Sequence, residues 1–172
     1  MRIILFDLGN VLVDETTSTL IPGASEILST IGNFRDSEGD ILVISLLSDY
    51  GELNSSHDQI QIDRMHFYKM LKDLDLEKFF VPLDERVTLS SEVGVEKPDE
   101  RIFRASIDKI KKGLPYDRVF FVTEDKTHIE AAGKLGIVAI WFNRFKDTNN
   151  NSYEKINSLI DLNPLINSLL KL

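Results

Sequence analysis

Four short, nearly unbroken apolar runs constrain this chain more than any other feature of its sequence. Ile3-Ile4-Leu5-Phe6 stops at Asp7, and Ile41-Leu42-Val43-Ile44-Ser45-Leu46-Leu47 stops at Ser48-Asp49. Val119-Phe120-Phe121-Val122 stops at Thr123-Glu124-Asp125, and Ile137-Val138-Ala139-Ile140-Trp141-Phe142 stops at Asn143. A strand wetted on one face alternates apolar and polar residues. A run without alternation belongs to a strand covered on both faces, the condition of a parallel sheet. Arg86 to Leu89 is a weaker candidate for a fifth strand.

Helical patterns separate these runs. Pro22-Gly23 opens a helix reaching about Ile31. Asp58 to about Leu71 carries Ile62, Met65, Phe67 and Met70 at helical spacing. Pro98-Asp99-Glu100 has the proline and first-turn acids of a helix start, and Gly113 stops that helix. Thr127 to Leu135 is a shorter helix ending at Gly136, a natural left-handed cap. Asp147 to Ser152 reads as a polar loop. Beyond it, Ile156, Leu159, Ile160, Leu165, Ile166, Leu169 and Leu170 predict a C-terminal helical hairpin. Strands alternating with helices predict an α/β, Rossmann-like fold of three layers, a parallel sheet with helices on both faces.

The chain of 172 residues reads as a single domain, 1–172, with a core of about 1–145 and a helical segment of about 152–172. A net charge of −8 argues against broad nucleic-acid binding, which lysines and arginines drive. The chain has no cysteine, which excludes disulfides and thiolate chemistry. The first apolar run is too short for a signal peptide or membrane span, so a cytoplasmic protein without membrane association is expected.

In an open parallel sheet, ligands bind outside the carboxyl ends of the strands. Asp7, Ser48-Asp49 and Glu124-Asp125 occupy those ends, and Lys97 precedes the Pro98 helix. Any one of them could be turn chemistry, since Asp and Ser favour turns and caps. The ordered set is harder to explain that way.

The order resembles the haloacid dehalogenase-like superfamily of phosphohydrolases from Arg2 to about Asn143. Asp7-Leu8-Gly9-Asn10-Val11-Leu12 is similar to the family's first motif, and Leu47-Ser48 to its second. Val95-Glu96-Lys97-Pro98-Asp99 is similar to its third. Val122-Thr123-Glu124-Asp125, with Ala131-Ala132 and Gly136 beyond, is similar to its fourth. Ile21-Pro22-Gly23-Ala24 resembles the family's entry to its first core helix.

The resemblance implies a phosphatase in which Asp7 attacks phosphorus and forms an aspartyl phosphate. It implies a Mg²⁺ cofactor held by Asp7, the Gly9 carbonyl, Glu124 and Asp125. Gly9, Asn10, Ser48, Asp49 and Lys97 would surround the phosphoryl group, with Lys97 holding Asp7 ionised. The chain departs from the family at Gly9, where the family has an acid/base Asp, and at Thr123-Glu124. A related Asp-Leu-Gly-Asn-Val variant occurs in a subgroup that includes sugar-phosphate phosphatases. Asp14 is read as a loop carboxylate in solvent, with proton donation as its alternative. His128 is read as an exposed helix histidine.

Many relatives carry a helical cap, and only Val11 to Ile21 lie where one would enter. A capless, open site is therefore expected, suited to a macromolecular phosphoester or to a partner subunit acting as lid. The alternative to a slow or specialised phosphatase is a catalytically impaired relative that binds a phosphorylated ligand or serves structurally. A receiver domain fits less well because its phosphorylated Asp lies on a middle strand. A dehalogenase fits less well because nothing would bury its apolar substrate.

Overall fold

The computed structural model describes residues 1–35, 39–146 and 153–170. Its strands are β1 (Arg2–Phe6), β2 (Val13–Asp14), β3 (Thr19–Leu20), β4 (Leu42–Ser48), β5 (Val87–Leu89), β6 (Val119–Thr123), β7 (Val138–Phe142) and β8 (Glu154–Ile156). Its α-helices are α1 (Ala24–Gly32), α2 (His57–Asp73), α3 (Leu83–Arg86), α4 (Ser90–Val93), α5 (Glu100–Lys111), α6 (Lys126–Lys134) and α7 (Leu162–Leu169).

Six strands form one parallel sheet in the order β5-β4-β1-β6-β7-β8, and β2 pairs with β3 in a small antiparallel hairpin. Successive residues of a strand point to opposite faces. Ile4, Phe6, Ile44, Leu46, Phe120 and Val122 therefore pack on one side with Leu28 of α1, Phe67 of α2 and Ile166 of α7. Ile3, Leu5, Val43, Leu47, Val119 and Phe121 pack on the other with Ile102 and Phe103 of α5 and Ala132 of α6. The unbroken apolar runs are thus strands covered twice, and the three-layer α/β architecture follows. Among the described residues no helix is long and apolar enough to cross a membrane.

The helix signals act close to where they were read, although Pro98 and Asp99 precede the first turn of α5 and only Glu100 lies in it. Asp99 accepts the Arg101 amide at 2.9 Å and caps α5. Gly136, at φ 86°, ends α6, and Ile137 N–H reaches back to the Ala132 carbonyl at 3.1 Å.

Two expectations are corrected. The C-terminal segment is not a helical hairpin: Ile156 lies in β8 opposite Phe142, and one α-helix, α7, follows. Spacing alone placed Ile156 on a helix, but the open edge of β7 offers it backbone partners, and a three-residue edge strand leaves no periodic signal. In α2 the buried positions are Asp63, Phe67 and Leu71, whereas Ile62 and Met65 are 41% and 60% exposed. The polar stretch 147–152 lies outside the described residues.

The sheet places the site. From β1 the chain builds outward through β4 and β5, then returns to the opposite flank of β1 for β6, β7 and β8. Strand order reverses at β1, and such a switch point opens a crevice at the strand carboxyl ends. Register sets Phe6 opposite Leu46 and Val122, so Asp7, Ser48 and Thr123 emerge close to one level.

Candidate active site

Asp7 leaves the central strand with its amide bonded to the Val122 carbonyl at 3.0 Å. One carboxylate oxygen, Oδ1, accepts the Leu8 amide at 3.0 Å and lies 3.2 Å from Lys97 Nζ. The other, Oδ2, accepts the Thr123 hydroxyl at 3.0 Å and lies 3.6 Å from His128 Nδ1. Burial pushes the Asp7 carboxyl up, but the His128 ring and the Lys97 ammonium outweigh it and hold the group below the ordinary carboxylate value.

Lys97 is fixed from several sides. Its side chain is 1% exposed, and Nζ donates to the Leu47 carbonyl at 3.3 Å. Asp49 clamps it twice, accepting the Lys97 amide at 3.0 Å and facing Nζ at 3.3 Å. Asp49 therefore turns its carboxylate onto the lysine, leaving only its backbone for an incoming anion. A buried ammonium so held is a positioned charge, not a solvated helix-start lysine.

Beyond Asp7 the chain turns sharply. Asn10 adopts a left-handed φ of 54°, and its amide donates to the Val13 carbonyl at 2.6 Å. The turn feeds the β2–β3 hairpin, where Asp14 accepts the Thr16 and Thr17 amides at 2.9 and 3.1 Å and pairs with Arg144 at 2.5 Å. The Arg144 hydrogen bond holds the Asp14 carboxyl below its usual value. Asp14 is thus a partly exposed hairpin carboxylate held by Arg144 and the Thr16 and Thr17 amides.

Glu15 takes the place at Gly9 instead. A Cβ on Gly9 would lie 2.1 Å from Glu15 Oε1. Asn10 Nδ2 donates to Glu15 Oε2 at 2.9 Å, and Glu15 N–H returns to Asn10 Oδ1 at 3.3 Å. The carboxylate therefore stands over position 9.

Asn10 Nδ2 also approaches Glu124 Oε1 at 3.4 Å, and Trp141 Nε1 donates to the Glu124 carbonyl at 3.1 Å. Burial, with the charges of Asp7, Asp125 and Glu15, pushes the Glu124 carboxyl above its usual value against the Asn10 hydrogen bond. Asp125 is committed to capping α6 through the Thr127 amide at 2.7 Å and hydroxyl at 2.6 Å.

Among the described residues no three His, Cys, Asp or Glu side chains stand close enough together to hold a metal alone. The oxygen donors still fit Mg²⁺, which takes one or two carboxylates and keeps several waters. Burial first, and then the charges of Asp7, Asp125 and Glu15, raise the Glu124 carboxyl, and a divalent cation would relieve the charge repulsion among them.

Sequence reasoning missed three features. Thr123 is a donor to Asp7, His128 is a half-buried neighbour of Asp7, and Glu15 fills the space at residue 9. Only His128 left a usable signal. It follows the cap residue Asp125 by three positions and so faces the same helix end.

No family model matches the chain, and no curated protein matches it in sequence. Solved structures do match. The HAD-hydrolase YfnB from Bacillus subtilis, bound to magnesium, is similar at 15% identity over 96% of this chain and 98% of that one, with a TM-score of 0.71. A HAD phosphatase from Thermococcus onnurineus is similar at 20% identity over 86% of this chain and 58% of that one, with a TM-score of 0.60. A dehalogenase captured as an intermediate complex is similar at 25% identity over 86% of this chain and 56% of that one, with a TM-score of 0.55. The chain thus spans little more than half of the last two, and it has the haloacid dehalogenase-like α/β fold.

Proposed function

We propose that the protein is a Mg²⁺-dependent phosphohydrolase of the haloacid dehalogenase-like kind, capless and cytoplasmic, acting on phosphate esters through Asp7. The observation that carries this reading is the Asp7–Lys97 pair at the end of the central strand, 3.2 Å apart with the ammonium buried. A carboxylate kept ionised beside a fixed cation suits attack on an electrophile whose oxygens are themselves anionic.

In the first step an Asp7 oxygen bonds to phosphorus as the ester P–O bond breaks. Glu15, poised over Gly9, takes part in its protonated form and gives that proton to the departing oxygen. In the second step the Glu15 carboxylate takes a proton from water as that water attacks the aspartyl phosphate. Inorganic phosphate leaves, and Asp7 is restored. Lys97, the Ser48 hydroxyl and the Gly9 amide hold the phosphoryl oxygens, since the Leu8 and Asn10 amides are already bonded within the turn. Asp49 orients Lys97, and Thr123 and His128 orient the Asp7 carboxylate.

Asp7, the Gly9 carbonyl and Glu124 would hold the cation, with Asp125 left on its helix cap. Once bound, Mg²⁺ screens the repulsion between Asp7 and the phosphoryl group.

A second reading, a phospho-ligand-binding module without turnover, is favoured by Gly9 itself. A screen of phosphate esters with and without Mg²⁺, with 2-haloacids as counter-substrates, separates these readings. The phosphatase reading expects Mg²⁺-dependent phosphate release that Asp7→Asn abolishes. Halide release, or phosphate release that survives Asp7→Asn, would contradict it.

A further inference from the structure

A cavity of about 470 Å³ opens beside the candidate site, within the range of small-molecule pockets. Gly9, Ser48 and Asp49 line it, so it continues directly from the proposed phosphoryl position. One part of its wall is apolar, with Leu8 from the turn, Val13 of β2, Tyr50 after β4, and Phe67, Met70 and Leu74 along and just beyond α2; Ser18, Glu15 and Asp73 add polar groups to the rest. Tyr50 meets Phe67 edge-on with ring centroids 4.9 Å apart. Among the described residues lining it none is basic; Glu15 is exposed there, and the Asp73 carboxylate is paired with Lys69.

We infer that this cavity seats the leaving group and that the substrate is an aryl phosphate monoester with no second anionic group. The inference rests on the phosphohydrolase reading and narrows its substrate class. With phosphorus held at Asp7 and Ser48, the ester oxygen points past Gly9 and Glu15 into the cavity. The apolar part of the wall, with the Tyr50 ring in it and the Asp49 and Asp73 carboxylates turned onto lysines, favours a ring there over a polyhydroxylated sugar. The absence of lysine, arginine and histidine from the walls leaves a second phosphate or carboxylate without a partner, which a desolvating pocket penalises. An aryl oxide also departs with less proton assistance than an alkoxide, which suits an acid borne on an exposed side chain rather than one fixed at residue 9.

The test measures binding and turnover separately on the intact protein with Mg²⁺. Calorimetry compares a naphthylmethylphosphonate with methylphosphonate; steady-state kinetics compares 1-naphthyl phosphate, phenyl phosphate, a phosphotyrosyl peptide, glucose 6-phosphate and acetyl phosphate. The aryl phosphonate binds about tenfold tighter or better, and the aryl esters exceed glucose 6-phosphate in kcat/KM by a similar factor. In Met70→Glu the preference of binding for the aryl phosphonate over methylphosphonate falls about tenfold. Within the aryl class, preference for the peptide puts the ring on a protein, and preference for naphthyl phosphate puts it on a free molecule; either supports the class. Turnover of acetyl phosphate without aryl preference in binding or kinetics overturns the cavity assignment and leaves the phosphohydrolase reading standing. Aryl preference in binding with no turnover of any ester does the reverse. Selectivity is read first on the natural protein, so the result does not depend on the folding of Met70→Glu.

Discussion

Glu15 Oε1 occupies the space where a side chain on residue 9 would begin, 2.1 Å from the position of a Cβ on Gly9. The missing side chain and the intruding carboxylate are therefore one arrangement. Asn10, left-handed at φ 54°, bonds the Glu15 side chain and so couples the turn to that carboxylate.

If Glu15 moves the proton, Glu15→Gln should slow alkyl phosphate hydrolysis by about 100-fold, within the range of general acid catalysis. Acetyl phosphate, whose leaving group needs no proton, should change little. Asp14→Asn, which breaks the Arg144 pair on the hairpin, should not reproduce this selectivity. A rate series over esters of graded leaving-group basicity checks all three.

Gly9→Asp should then give little gain by itself, because the new side chain must displace Glu15. In a Glu15→Ala background the same change should raise alkyl ester turnover by about tenfold or more. The four proteins form a double-mutant cycle, and equal gains in both backgrounds would separate the two sites.

Lys97→Met should cost about 3 kcal/mol of stability near neutral pH, since it strands a buried carboxylate. The sign with pH is definite. The Asp7 carboxyl is held below its ordinary value in the folded protein, so its stabilisation is complete above the unfolded pKa of about 3.9 and is lost as pH falls toward the folded value. Without Lys97 the Asp7 carboxyl rises. The deficit of the variant should therefore be largest at pH 7 and shrink toward about pH 4, as Asp7 protonates. Urea unfolding without Mg²⁺ measures it.

Glu124→Gln should weaken Mg²⁺ binding by about tenfold or more, because it removes one of the few carboxylates such a site provides. Calorimetric titration with Mg²⁺ alone reads this without any substrate. An Asp125→Ala change should act mainly on the start of α6, where Asp125 is the cap.

The parts of the fold readable from sequence are those where both faces of a strand are buried. β1, β4, β6 and β7 each left an apolar run bounded by a polar residue. β8 did not, because three residues on the sheet edge, two of them exposed, leave Ile156 as a lone apolar position among helix-like spacings. Ile62 and Met65 misled for the opposite reason: apolar residues on a wet face share the period of the buried stripe of Phe67 and Leu71. The positions of Asp7, Ser48, Lys97 and Glu124 were legible because strand ends and helix starts fix backbone position. Glu15 was not, because its place depends on the left-handed Asn10 and a hairpin of two-residue strands. His128 and Thr123 were in view, but their contact with Asp7 arises only when β6 pairs with β1.

Turnover through Asp7 requires that Asp7 itself become phosphorylated. Brief incubation with Mg²⁺ and acetyl phosphate, acid quench and peptide mass spectrometry detects that species. A hydroxylamine-labile phosphoryl group is expected on the peptide containing Asp7, and none in Asp7→Asn. Phosphate release from the natural protein with no label, or with a label on another residue, would contradict it.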